Sequence, residues 1–157
     1  MSPLTHYIIY RKDHSAQEDE WRRVQYNPLT IDGAAIAAED CVEMRDDVIR
    51  YFNHFFCGIR LYNPARKAPT NGFYYGGATV IKKEHIPALI AVIDPILSLC
   101  ENTFSQTVTL TGDYCKRDKR YQKIPIDNDK LTAMFTRFKV LSGNVLNHGG
   151  YILHCAI

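Results

Sequence analysis

The chain has 157 residues, 46% of them hydrophobic and 23% charged, with a formal net charge of +2. That is the length and composition of one globular domain with a sizeable core, and a single domain over 1–157 is expected. So small a net charge does not ask for nucleic acid, and no apolar run approaches the ~20 residues of a membrane span.

Five cysteines (Cys41, Cys57, Cys100, Cys115, Cys155) are odd in number and never form a CxxC pair. Free thiols in a reducing compartment account for them. The N-terminus, MSPLTHYIIYRKD, has no signal-peptide pattern, so a cytoplasmic location is expected.

Taken in order, Leu4–Arg11 is rich in β-branched and aromatic residues and reads as a strand. Ser15 and Glu18 have capping-box spacing and predict a short helix over about 16–25, stopped by Asn27-Pro28. From about Ala37 to Cys57, the apolar residues Cys41, Met44, Val48, Phe52 and Phe55 recur at three- and four-residue steps, which predicts one long helix. Ile59–Tyr62 reads as a short strand, and Asn63–Gly72, with two prolines, as a loop.

From Phe73 onward the sequence repeats itself. A shift of 45 places Ile81 on Ile126, Ile86 on Leu131, Ile93 on Phe138, Ile96 on Leu141 and Cys100 on Val145. Each half reads strand, helix, strand: Phe73–Ile81, a helix over 82–102, then Thr107–Thr111; and Tyr121–Ile126, a helix capped by Asp127, then Tyr151–Ile157. The βαββαβ order predicts an α+β fold with a ferredoxin-like core over about 73–157, to which an N-terminal strand and helices are added. In the ferredoxin-like strand order 4-1-3-2, the last strand lies beside the first, and Leu4–Arg11 is expected to cover its open edge.

No catalytic signature is present. The six histidines lack HxxxH or HExxH spacing, and there is no GxGxxG, Walker or GxSxG sequence. No cofactor and no metal are therefore expected. Asp127-Asn128-Asp129 stands just before a helix and reads as a cap, and His154 reads as a hydrogen-bonded core histidine. The segment expected at the tip of a hairpin, Asp113–Tyr121, is unusual: Tyr114, Lys116, Arg117, Lys119, Arg120 and Tyr121 crowd together there. It suits an acidic protein face or phosphates. RNA binding through the sheet is disfavoured, because the third repeat strand (YQKIPI) carries a proline and no RNP1 aromatics.

The ending Gly-Gly-Tyr-Ile-Leu-His-Cys-Ala-Ile and the segment Leu-Thr-Gly-Asp-Tyr, on a small chain without catalytic motifs, resemble the immunity proteins of bacterial contact-dependent inhibition and polymorphic toxin systems. The resemblance implies a protein that binds one cognate toxin domain, often a nuclease, and blocks its active site. Two surfaces are candidates for that contact. One is the basic hairpin; the other is an acidic set of Asp19, Glu20, Glu39, Asp40, Glu43, Asp46 and Asp47. The alternative is an enzyme or small-molecule-binding protein on the same scaffold, with Cys115, Asp113 or His154 at its site.

Overall fold

A six-stranded antiparallel sheet carries helices on one face and a small β-meander on the other. The computed structural model describes residues 4–12 and 19–157. In chain order its elements are β1 (Thr5–Arg11), β2 (Val24–Tyr26), β3 (Leu29–Ile31), β4 (Ala34–Ala35), β5 (Cys41–Arg45) and α1 (Asp46–Phe56). There follow β6 (Arg60–Asn63), β7 (Ala68–Asn71), β8 (Ala78–Ile81), α2 (Ile86–Glu101), β9 (Thr107–Cys115), β10 (Arg120–Asp127), α3 (Asn128–His148) and β11 (Tyr151–Ala156). The main sheet runs β5-β1-β11-β8-β6-β7, β2-β3-β4 form the meander, and β9-β10 pair only with each other.

Period-two alternation divides the sheet's two faces. Ile8, Tyr10, Val42, Met44, Ile81 and Ile152 point into the core shared with all three helices. Ala78, Val80, Tyr151, Leu153 and Cys155 point the other way, under Val24 and Ile31 of the meander. β11 is therefore apolar on both sides, which is why it reads as a nearly unbroken hydrophobic run.

α2 and α3 lie together on one side of the sheet. The residues matched by the 45-residue shift are buried in both: Ile86 and Leu131, Ile93 and Phe138, Ile96 and Leu141, Cys100 and Val145. Phe135 and Phe138 are fully enclosed, each worth roughly 1.5–3 kcal/mol of burial. Asp127 caps α3 as expected, its Oδ1 accepting from the Lys130 backbone N–H at 3.0 Å. Lys139 of α3 and Asp94 of α2 make an ion pair at 2.6 Å.

β1 covers the edge of β11, from His6 opposite Ala156 to Arg11 opposite Tyr151, and β11 pairs with β8 on its other side. Both pairings agree with the sequence reading. The remaining two strands of the repeat do not join them, so the order 4-1-3-2 is not completed. The place beside β8 is taken by β6, where Tyr62 sits opposite Val80. β9 and β10 leave as a separate ribbon packed against α1.

Four further expectations are corrected. Residues 41–45 are not the start of a long helix but strand β5, held to β1 from Thr5 opposite Arg45 to Ile9 opposite Cys41. The helix is only α1, Asp46–Phe56. The predicted helix over 16–25 falls partly outside the described residues; within them the chain makes a 3-10 turn at Glu20–Arg23 and then enters β2. Ala68–Asn71 within the predicted loop is strand β7, paired with β6. Finally, Phe73–Gly77 precedes the strand rather than forming it, and β8 is limited to Ala78–Ile81.

Candidate binding surface

The sequence-predicted basic cluster is gathered on the β9–β10 ribbon. β9 extends four residues beyond Thr111, so the expected nine-residue loop shrinks to the turn at 116–119. Lys119 holds φ +50 in that turn. The register pairs Tyr114 with Tyr121 and Arg120 with Cys115, then shifts between Tyr121 and Lys123. A Cβ at Gly112 would come within 2.8 Å of the Ile124 side chain, so glycine lets the two strands close up below this bulge.

At the outer end of the ribbon, Tyr114 and Tyr121 are half exposed and meet edge to face, with ring centroids 5.2 Å apart. Lys116, Arg117 and Lys119 lie in the turn between them and Arg120 opens β10, and all four are exposed. Among the described residues none of these four makes an ion pair. Asp118 lies among them, within 3.5 Å of the Cys115 thiol. The base of the ribbon is fixed: Leu110 and Ile126 are buried, and Asp113 accepts from Arg50 of α1 at 3.2 Å. The ribbon thus has a fixed base and an exposed tip with two tyrosines and two arginines, residue types enriched where interfaces carry their energy.

The acidic candidates do not assemble. Glu20 is buried and accepts from Arg11 Nε at 2.5 Å, while Asp19 is exposed beside it. Glu39 and Asp40 form part of a 3-10 turn before β5. Glu43 is exposed on β5, opposite Tyr7. Asp46 is buried between His6 Nε2 and Arg50 Nε, at 2.9 Å from each, and Asp47 pairs with Arg45. Glu20 and Asp46 therefore hold the fold together and are not available as an acidic face.

Sequence reasoning missed a chain of buried polar groups under α1. His6 Nε2 donates to Asp46 Oδ1, and His6 Nδ1 lies 2.9 Å from His154 Nε2. His154 Nδ1 lies 3.3 Å from Thr79 Oγ1, which accepts from the Tyr74 backbone N–H at 2.8 Å. One set of tautomers satisfies every atom: Thr79 donates to His154 Nδ1, His154 Nε2–H donates to His6 Nδ1, and His6 Nε2–H donates to the Asp46 carboxylate. Both rings are then neutral, in keeping with burial, which pushes both histidines below their ordinary range.

An Asp-His-His-Thr series has the parts of a proton relay. However, His6, Thr79 and His154 are all fully buried, and no substrate atom reaches them. The hydrogen-bonded His6–His154 contact also leaves no space for an ion between the two nitrogens. Among the described residues no group of three or more His, Cys, Asp or Glu side chains is arranged to hold a metal. His154 is thus a hydrogen-bonded core residue, as its place in an apolar strand predicted. Cys115, Asp113 and His154 are not brought into one pocket: Cys115 and Asp113 lie on the ribbon and His154 in the core. Within the described residues no helix is long and apolar enough to cross a membrane.

No family model matches the chain, and neither a curated protein nor a solved structure matches it.

Proposed function

We propose that this is a protein-binding inhibitor of the immunity-protein type, which neutralises a cognate toxin domain in the cytoplasm by laying the β9–β10 ribbon over its active site. The observation that carries the reading is the unpaired basic tip, in which Lys116, Arg117, Lys119 and Arg120 frame the Tyr114–Tyr121 pair on an anchored ribbon. Tyrosine contributes large contact area with little rotamer loss and arginine contributes five N–H donors, and both are enriched among residues that carry interface energy. A ribbon that projects from the sheet fits a concave, acidic target such as a metal-binding nuclease cleft lined by carboxylates.

In this reading residues 73–157 are a ferredoxin-like βαββαβ unit whose second and third strands have swung out of the sheet to become the contact device. Support comes from the paired β8 and β11 and from the repeated burial pattern of α2 and α3. Co-expression with the product of the adjacent gene tests the function. A stable one-to-one complex that abolishes that product's toxicity, and that Arg117→Glu with Arg120→Glu disrupts, is the expected result. Two proteins that remain separate on a sizing column would overturn it.

A further inference from the structure

We infer that two copies of this chain pair through the outer edge of β9, joining their ribbons into one four-stranded antiparallel sheet. This edge lies apart from the basic tip, and its pairing does not depend on the tip's partner. The Asn128 N–H bonds the Gln106 carbonyl at 2.7 Å, in the register that sets Thr107 opposite Asp127. Hydrogen-bonded and non-hydrogen-bonded pairs alternate along an antiparallel ladder. Val108 and Leu110 therefore bond to Ile126 and Ile124, while the N–H and C=O groups of Thr107, Thr109 and Thr111 point away from β10. Among the described residues only Thr107 of these three has a partner there, its carbonyl accepting from the Ser105 hydroxyl at 2.8 Å.

The two edges of the ribbon are not alike. On β10 the matching positions are Lys123, Pro125 and Asp127: a cation, a residue without an N–H, and the cap of α3. Lysine and proline are usual guards of a strand edge. β9 has neither, since Ser105–Gly112 carries no charge and no proline. An open edge accepts another strand, and this one is complementary to itself. Thr107-Val108-Thr109-Leu110-Thr111 reads alike in both directions apart from the exchange of Val and Leu. About a two-fold axis at Thr109, antiparallel pairing sets Thr109 opposite its own copy and Thr107 opposite Thr111 of the second chain. Every open N–H then meets a C=O. The same contact covers apolar surface. Phe55 and Leu99, 56% and 69% exposed, line one cavity with Val108 and Leu110, and the fully exposed Phe104 stands three residues before Thr107. Large apolar side chains gathered at a surface mark a contact. These border β9 on the side where the second ribbon would lie. The two basic tips point in opposite directions in this pairing, so each copy keeps its tip free.

Sedimentation equilibrium of the full chain over a concentration series reads the association. A rise from 18.0 kDa to twice that mass is expected in the micromolar range. Thr109→Pro removes an N–H that the single chain does not use, and is expected to leave a monomer at every concentration. Thr109→Lys and Thr109→Glu, on the exposed face, each set like charges opposite one another. Each is expected to weaken dimerisation several-fold, and their equimolar mixture to restore it. This charge pair decides the outcome should the proline variant lose its thermal transition. A chain that stays monomeric, a dimer unaffected by all three variants, or a mixture no tighter than its components would overturn the inference. So would a monomer whose complex with the co-expressed product is broken by Thr109→Pro, which would give the edge to that product's strand. No partner protein enters the dimer measurements, so their failure leaves the role of the ribbon tip where it stands.

Discussion

His154 Nε2 stands 2.9 Å from His6 Nδ1, with the two rings 12° from parallel, although 148 positions separate the residues in the chain. The contact joins β11 to β1 through their adjacent strands and then, through Asp46, to the first turn of α1. It works only while His6 is neutral, because a second proton on His6 would sit on Nδ1 and face the His154 Nε2–H. A second proton on His154 would sit on Nδ1, turn the Thr79 hydroxyl from donor to acceptor and place a charge in the core.

The stability of the fold should therefore depend on pH in a defined direction. Both histidines have folded-state values below the 6.5 of the unfolded chain. Below that value the unfolded state binds more protons than the folded one, so stability rises with pH through this window. Full stability is present above about pH 6.5 and is lost as the pH falls beneath it, by up to about 1.4 kcal/mol per unit for each histidine. Urea denaturation midpoints from pH 8 to pH 5 check this, and His154→Gln should flatten the curve. A midpoint that stays constant over that range in the unmodified chain would contradict the neutral-pair assignment.

Gly150 controls how β1 and β11 approach each other. It holds φ +88, and a Cβ there would lie 2.1 Å from the Arg11 carbonyl oxygen. Backbone cannot retreat as a side-chain tip does. Gly150→Ala should cost about 3 kcal/mol or more, read as a lowered denaturation midpoint. Gly58→Ala, where a Cβ meets nothing within 4 Å and φ is not positive, is the matched control and should change stability little.

Much of this architecture was legible because burial repeats locally. α2 and α3 announce themselves through apolar residues one turn apart, and β1 and β11 through β-branched and aromatic runs. Residues 41–45 were ambiguous for a physical reason. Val42 and Met44 alternate as a strand requires, yet Cys41, Met44 and Val48 also step as a helix requires. Pairing with β1, more than thirty positions away, decides between them, and periodicity carries no record of it. The same holds for the ribbon, which is displaced by β6 beside β8, and for Asp46, whose acidic character suggested a surface and whose partners His6 and Arg50 hold it inside. Of the candidate site residues, the basic hairpin stayed together because its members are neighbours in sequence. The acidic set did not form one face although Glu39–Asp47 are also close in sequence, because Arg11 holds Glu20 inside and His6 and Arg50 hold Asp46 inside, while Glu43 stays exposed on β5.

Thiol reactivity gives an independent reading of burial. Cys100 and Cys155 are buried, and burial pushes the Cys155 thiol up to about 12 and that of Cys41 up to about 11. The thiolate is the reactive form, so these three should be slow toward a disulfide reagent at pH 8. Cys57 is exposed and Cys115 half exposed, so two thiols should react quickly in the folded chain and five after denaturation. Fast reaction of Cys57→Ser with more than one equivalent would show that the β11 or α2 packing is looser than described.

The ribbon tip makes the last prediction, since its tyrosines are largely exposed and bury little against the fold. Tyr114 and Tyr121 are 50% and 60% exposed, and their mutual edge-to-face contact is worth about 0.5–1.5 kcal/mol at most. Replacing either by alanine should move the denaturation midpoint little. At an interface the same residues would be fully desolvated against a partner, where losing one tyrosine costs about 2 kcal/mol or more, a factor of roughly thirty in Kd. Titration calorimetry of Tyr114→Ala and Tyr121→Ala with the co-purified partner separates these two quantities. Weakened binding with unchanged stability supports a contact role. Destabilisation with unchanged binding assigns the pair to the ribbon's own structure, and the interface must then lie on another face.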